Sequence, residues 1–187
     1  MLTDPLIEFQ QAHLYRLWGK YAGKVVSNDD SEQMGRLQVT CGAVLGDENV
    51  WALPCVPYAG PGVGFYFIPP VDAGVWIEFE GGDVSRPIWT GCYWAKGDLP
   101  ADAASADIKL IVTDAASFKI DDSAGEVELS NSSDSKTTWS ADVVTEAGQA
   151  KHSVGSSGVT SESAASVGKV EVSDSGVSVN SGAFSVM

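Results

Sequence analysis

Residues 74–83, GVWIEFEGGD, decide the fold of this 187-residue chain. Every second side chain from Val75 to Phe79 is apolar, and this two-residue period is typical of a strand with one buried face. Gly81-Gly82-Asp83 follows directly and has the composition of a tight turn. The block therefore predicts a half-buried β-strand that ends in a turn.

The same period recurs on both sides of this block. Further predicted strands are Gly23 to Ser27, Arg36 to Cys41, Ile88 to Trp94 and Phe65 to Ile68, the last of which is aromatic on both faces. Turn-forming residues separate them, among them Asn28-Asp29-Asp30 and Gly60-Pro61-Gly62. So many short strands within about 75 residues favour a small closed barrel.

Several motifs around the block carry a resemblance to a known family. They are Gly35-Arg36-Leu37, Trp51-Ala52-Leu53-Pro54, Pro61-Gly62-Val63-Gly64, the block itself, Arg86-Pro87-Ile88-Trp89 and Gly91. Together they resemble the barrel domain of baseplate spikes: phage baseplate assembly protein V, the T4-type tail spike and VgrG proteins. The resemblance implies an OB-fold barrel at about residues 20–97, three copies of which form a collar beneath a trimeric baseplate hub. It also implies a β-helical needle after the barrel.

The composition changes at Pro100. All 8 prolines lie at or before it, whereas 19 of the 22 serines lie after it. Each half carries a surplus of acidic residues and the net charge is −14, so nucleic acid is not expected as a partner. No apolar stretch is long enough to span a bilayer and no basic signal segment opens the chain, so export by the general secretion route is not expected. With the resemblance, this implies assembly in the bacterial cytoplasm.

The serine-rich half still alternates apolar and polar residues, with pairs such as Val170/Val172 and Val177/Val179 at a spacing of seven. Each such strand offers too few apolar side chains to offset the entropy of ordering one chain alone. We therefore expect an all-β chain in which residues 98–107 link the barrel to an intertwined, trimeric, triangular β-helix at 108–187. Its predicted trimer core is Ile108, Leu110, Val112, Val170, Val172, Val177, Val179, Phe184 and Val186.

The sequence does not assign two features of this half. Trp139 is either a plug in the core or the mark of a widened level, and the strand register across 145–168 is uncertain. At the end of the chain, open strand edges and apolar side chains favour a cap. A PAAR-like tip protein is therefore expected to contact Phe184, Ser185, Val186 and Met187.

Residues 1–19 have the spacing of a short amphipathic helix after Asp4 and Pro5. Its apolar residues either pack on the barrel or dock on a partner, for which we expect the hub. They are Leu6, Phe9, Leu14, Leu17 and Trp18.

The residue patterns that could indicate catalysis or metal binding have ordinary structural interpretations in this chain. His13 and His152 lie far apart in sequence and mark no triad, and Glu78 and Glu80 belong to an outward strand face. A calcium loop at 28–32 is less favoured than a polar turn. The three cysteines form no CxxC pair and are interpreted as buried thiols. We therefore expect no enzyme activity, cofactor or metal.

These inferences converge on the central spike of a contractile injection apparatus, in a phage tail or phage-like particle. It would join hub to tip, transmit contraction force and touch the target membrane only transiently. The alternatives are an OB-fold module that stacks glycans on Trp76, Trp89 and Tyr66, and a trimeric adhesin or tail fibre.

Overall fold

The computed structural model describes Leu14 and residues 16–103, 105–165 and 167–186. Its elements are almost entirely strands, and they divide into two units, Met1–Leu99 and Pro100–Met187. The expected all-β class is confirmed, and the division falls at the change in composition.

The first unit contains a closed barrel of five strands in the order β1-β2-β3-β7-β6. The elements of this unit are β1 (Tyr21–Ser27), β2 (Leu37–Thr40), a one-turn helix α1 (Gly42–Leu45), β3 (Asn49–Pro54), β4 (Ala59–Gly60), β5 (Val63–Gly64), β6 (Gly74–Phe79) and β7 (Pro87–Tyr93). All neighbours in the barrel are antiparallel except β3 and β7. This is the five-stranded OB arrangement that the resemblance implies. One predicted strand was wrong: Phe65 to Ile68 forms no strand, and Asn49–Pro54 takes its place in the barrel.

The first six residues of the GVWIEFEGGD block form β6, and every second side chain of this strand is buried, as the sequence predicts. Val75 and Ile77 are fully buried and Phe79 is 6% exposed, while Glu78 forms an ion pair with Lys20 at the barrel surface, with 2.6 Å between Nζ and Oε1. The remaining buried hydrophobic residues are Val25, Leu37, Val39, Cys41, Ala52 and Trp89. One face of each barrel strand thus supplies the core.

The turn after β6 also holds the chain that precedes β1. Gly81 and Gly82 adopt φ values of 59° and 78°, which glycine reaches without strain. The Leu17 amide donates to the Gly82 carbonyl at 2.9 Å, and Arg16 Nη1 donates to the Gly81 carbonyl at 2.6 Å. Leu17 packs against the barrel core, so part of the N-terminal segment is bound to its own domain.

Asp30 organises the loop between β1 and β2. Its carboxylate accepts hydrogen bonds from the backbone amides of Glu32, Met34 and Arg36, and it pairs with the Arg36 guanidinium at 2.7 Å. The guanidinium carbon lies 5.2 Å from the ring centroid of Trp51. The acidic loop is therefore a polar turn whose central carboxylate already has its partners.

The second unit is a ten-stranded antiparallel sheet in which each strand pairs with its neighbours in sequence. The strands are β8 (Ile108–Val112), β9 (Ala116–Asp121), β10 (Glu126–Asn131), β11 (Ser135–Trp139), β12 (Val143–Ala147), β13 (Ala150–Gly155), β14 (Gly158–Glu162), β15 (Lys169–Ser173), β16 (Gly176–Val179) and β17 (Phe184–Val186). Connections of two to six residues join them. In the expected winding, levels alternate between three chains; here the strand ladder is formed within one chain, because the turns are short enough for hairpins.

No described residue of this second unit is buried. The strands satisfy one another's backbone groups, but the side chains on both faces of the sheet remain open in the single chain. A sheet needs a hydrophobic face covered by another layer to be stable. The unit therefore has an ordered backbone without a core of its own.

Candidate functional site

The ladder sorts the side chains of the second unit onto two unlike faces. Residues that pair directly across two strands share a face, so the register assigns each position. The large apolar side chains on one side define what we call the apolar face. They are Ile111, Phe118, Ile120, Val127, Leu129, Trp139, Val143, Val154, Val159, Val170, Val172, Val177, Val179 and Phe184.

One row of the apolar face crosses nine successive strands without a polar residue. Its members pair in the order Ile120, Val127, Trp139, Val143, Val154, Val159, Val172, Val177, Val186. Eight of the nine are β-branched, which suits a pleated surface that packs against another layer. The row is thus a continuous apolar stripe from β9 to β17. It ends at β8, where Lys109 lies opposite Ile120.

The opposite side, the charged face, holds all ten charged residues of strands β9 to β17. They are Lys119, Asp121, Glu126, Glu128, Lys136, Glu146, Lys151, Glu162, Lys169 and Glu171. Charged residues are suited to permanent contact with water, and the apolar face of these nine strands carries none. The two faces are therefore adapted to different surroundings.

Ion pairs link neighbouring strands on the charged face. Lys136 Nζ lies 3.1 Å from the Glu146 carboxylate and 3.9 Å from that of Glu128. The hydrogen bond to Glu146 raises the pKa of Lys136. Such exposed pairs contribute little to stability, so their main effect is to favour this register over a slipped one.

The large side chains of the apolar face are exposed to solvent in the single chain. Leu129, Trp139 and Val154 are 50%, 41% and 43% exposed. Single exposed apolar side chains are ordinary, but a contiguous apolar stripe marks a contact surface. This face is the candidate functional site of the second unit.

The structure brings together some of the predicted trimer-core residues and separates others. Val170, Val172, Val177, Val179 and Phe184 lie on the apolar face, and Val186 occupies the register position opposite Val177.

Ile108, Leu110 and Val112 lie on the charged face, where Leu110 pairs with Lys119. This corrects their grouping with the others. Strand β8 has apolar residues on both sides. Ile111, opposite Phe118, lies on the apolar face together with Lys109, and the alternation of β8 by itself does not reveal this.

Sequence reasoning did not assign the middle of this surface. Trp139 lies on the apolar row between Val127 and Val143, which makes it part of the continuous stripe. Val143, Val154 and Val159 fall in or near the segment of uncertain register. The short turns could have assigned these residues to a face, because a turn of known length fixes which residues of its two strands lie opposite each other.

The predicted hub and tip contacts lie only partly within the described residues. Leu6 and Phe9 fall outside them; Leu14 is 77% and Trp18 57% exposed, whereas Leu17 packs on the barrel core. At the other end Phe184 is 62% exposed, Met187 falls outside the described residues, and Ser185 and Val186 are placed by backbone pairing alone.

The barrel does not assemble the three aromatic residues of the glycan hypothesis. Trp89 is 4% exposed, and its Nε1 donates to the Gly35 carbonyl at 3.1 Å, so it is a core residue. Trp76 packs on Tyr93 with ring centroids 5.0 Å apart, and only Tyr66 is widely exposed. A stacking platform made of all three is ruled out by the burial of Trp89.

The cysteines differ from one another. Cys41 is buried as expected, and burial raises the pKa of its thiol. Cys55 and Cys92 are exposed, which corrects their interpretation as buried thiols. Cys55 directly follows the end of β3, and Cys92 lies on an outward position of β7. Their apolar neighbours in sequence therefore do not imply that the thiols are buried.

Within the described ranges, no helix is long and apolar enough to cross a membrane. Nor do those ranges contain a group of three His, Cys, Asp or Glu side chains in one chain that could hold a metal ion.

Comparison with known proteins identifies the barrel. No curated protein matches the chain. Residues 21–94 match the family model described as the Type VI secretion system/phage-baseplate injector OB domain. The match covers all five barrel strands, from β1 to β7. With its strand order and its GVWIEFEGGD block, the barrel of this chain belongs to the baseplate injector OB-domain family.

Proposed function

We propose that this chain is the central spike of a contractile injection apparatus, acting as a homotrimer. The baseplate-type barrel supports a place beneath the hub, and the apolar face supports self-association. Three sheets, one from each chain, would turn their apolar faces to a common axis and their charged faces to water. The resulting prism would be the needle.

The apolar stripe is the observation that carries the proposal. It continues over nine strands with no charged interruption, so it fits a partner of equal length and equal apolar character. A second and a third copy of the same sheet meet both conditions, because closed symmetry makes each apolar face complementary to the others.

The proposed mechanism is mechanical. The hub would push the barrels, and a prism hydrogen-bonded along its length would pass the force to a PAAR-like tip protein seated near Phe184. The exposed Leu14 and Trp18 would contact the hub. We propose no enzyme activity; the particle would assemble in the bacterial cytoplasm and meet a target membrane only during injection.

Paired substitutions on adjacent residues of β13 test the proposal. Val154→Asp would place a carboxylate from each chain in the apolar contact, which costs several kcal/mol unless the charge is paired. Ser153→Asp adds the same charge on the charged face, opposite Val144 and Thr160. Sedimentation equilibrium should give a trimer for the parent and Ser153→Asp, and dissociated chains for Val154→Asp. A monomeric parent protein, or a fully trimeric Val154→Asp variant, would contradict the proposal.

A further inference from the structure

Four polar side chains interrupt the apolar face in the middle of the sheet. Thr137, Thr145, His152 and Ser161 pair in that order across β11, β12, β13 and β14. They occupy one row, while the parallel row on the same four strands holds Trp139, Val143, Val154 and Val159. The interruption is therefore a compact polar patch bordered by apolar side chains.

The four polar residues are joined in two pairs. The hydroxyl oxygens of Thr137 and Thr145 are 3.3 Å apart, and His152 Nδ1 lies 2.8 Å from Ser161 Oγ. No hydrogen bond to His152 Nε2 is found within the described residues. When Nδ1–H donates to Ser161, the ring has one tautomer and its Nε2 lone pair is available.

Charged groups near His152 in the ladder belong to the other face. Lys151, Glu146 and Glu162 are all in the charged-face register. Covering the apolar face would thus enclose the imidazole among hydroxyl and valine side chains, with no carboxylate on its own face as a partner. A polar group enclosed in this way is costly unless it gains a partner.

We propose that three copies of His152, one from each chain, bind a single divalent first-row transition-metal ion on the threefold axis. This inference rests on the homotrimer proposed above. A threefold axis places the three copies of His152 at the same height along the axis. Packed sheets stand about 10 Å apart, and an imidazole side chain reaches further into that space than a valine side chain does. Neutral imidazole nitrogen is a ligand for Zn²⁺, Ni²⁺, Cu²⁺ and Fe²⁺.

The hydrogen bond between His152 and Ser161 supports this assignment. Histidine ligands usually donate their other ring N–H to an oxygen acceptor, which fixes the tautomer and the ring orientation. Here the acceptor is already in position in the single chain. Three nitrogen ligands leave a fourth tetrahedral position, which water would fill, and the hydroxyls of Thr137 and Thr145 line the same patch.

Metal content and mass of untagged full-length protein, measured together, test the inference. After dialysis to remove loosely bound ions, elemental mass spectrometry should find one metal ion for every three chains. Co²⁺ added to stripped protein should saturate at the same ratio, with the visible absorption of a tetrahedral site. His152→Asn should abolish binding, and Ser161→Ala should weaken it about 10- to 100-fold.

The other histidine of the chain supplies the matched control. His13→Asn removes the same functional group and should leave the metal ratio unchanged. Trimers that contain no more metal than the His152→Asn protein, or that bind one ion per chain, would overturn the metal site and leave the proposed spike intact. Chains that do not form trimers would overturn both, and sedimentation distinguishes the two results.

Discussion

At the scale of single residues, Asp30 is the clearest case of a side chain whose charge holds a loop. The hydrogen bond from Arg36 is the main reason that the pKa of Asp30 lies well below its usual range. Three backbone amides and a guanidinium share this one carboxylate. Neutralising it weakens all of these hydrogen bonds at once.

Asp30→Asn should therefore lower barrel stability in a pH-dependent way. Because the folded-state pKa is depressed, the contribution of the carboxylate is fully present above the unfolded value of about 4 and is lost as pH falls below it. Urea denaturation should show a large difference between parent and variant at neutral pH and a shrinking one in acid. The exposed Asp29→Asn is the control, and an equal difference at all pH values would contradict this account.

Glycine is required at position 82 both for its positive φ and because Arg16 approaches its Cα closely. Its φ is 78°, and a Cβ there would lie 2.9 Å from Cβ of Arg16. Gly82→Ala should cost about 1–3 kcal/mol of barrel stability through backbone strain, with displacement of the N-terminal segment in addition. Gly81→Ala meets only the flexible end of Arg16 at 3.6 Å and should cost less. Equal losses in denaturant midpoint would show that contact with Arg16 is unimportant.

Burial in the barrel was predictable for some residues and not for others. Val75, Ile77 and Phe79 follow from alternation alone. Trp89 does not, because tryptophan suits both a core and an exposed stacking surface, and only its hydrogen bond to Gly35, far away in sequence, decides between them. The pairing of Asp30 with Arg36 was missed for a similar reason, since it depends on how the loop folds back.

At the scale of strands, β8 shows why alternation does not assign a face. Its apolar residues occur on both sides, so the assignment depends on the turn into β9, which sets Ile111 opposite Phe118 and Leu110 opposite Lys119. A shift of one residue would exchange the two faces. The strands were predictable from composition and period, whereas their common face required the register of each hairpin.

Substitutions in β8 test this assignment. Ile111→Asp should dissociate the proposed trimer, because it introduces a charge into the apolar face. Leu110→Asp lies opposite Lys119 on the charged face, where an opposite-charge pair is favourable by about 0.2–1 kcal/mol, and the trimer should persist. Sedimentation of the two variants at one concentration provides the measurement. If Leu110→Asp dissociates and Ile111→Asp does not, the faces of β8 have been exchanged.

At the scale of the whole molecule, the two units differ in the source of their stability. The barrel encloses its own core, so its fold follows from one chain. The sheet has no buried residue among those described, so its stability depends on what covers the apolar face. The sequence predicted this dependence from the scarcity of apolar residues, but not that the strand ladder could form within one chain.

The charge of the chain leads to the last prediction. Each chain has a net charge of −14, so three chains on one axis repel one another, while the apolar contact itself is insensitive to screening. Salt shortens the screening length from about 30 Å at 0.01 M to about 3 Å at 1 M. The trimer dissociation constant, measured by sedimentation across this range, should therefore fall as NaCl rises. A dissociation constant that rises with salt would mean that ion pairs between chains, and not the apolar face, hold the assembly together.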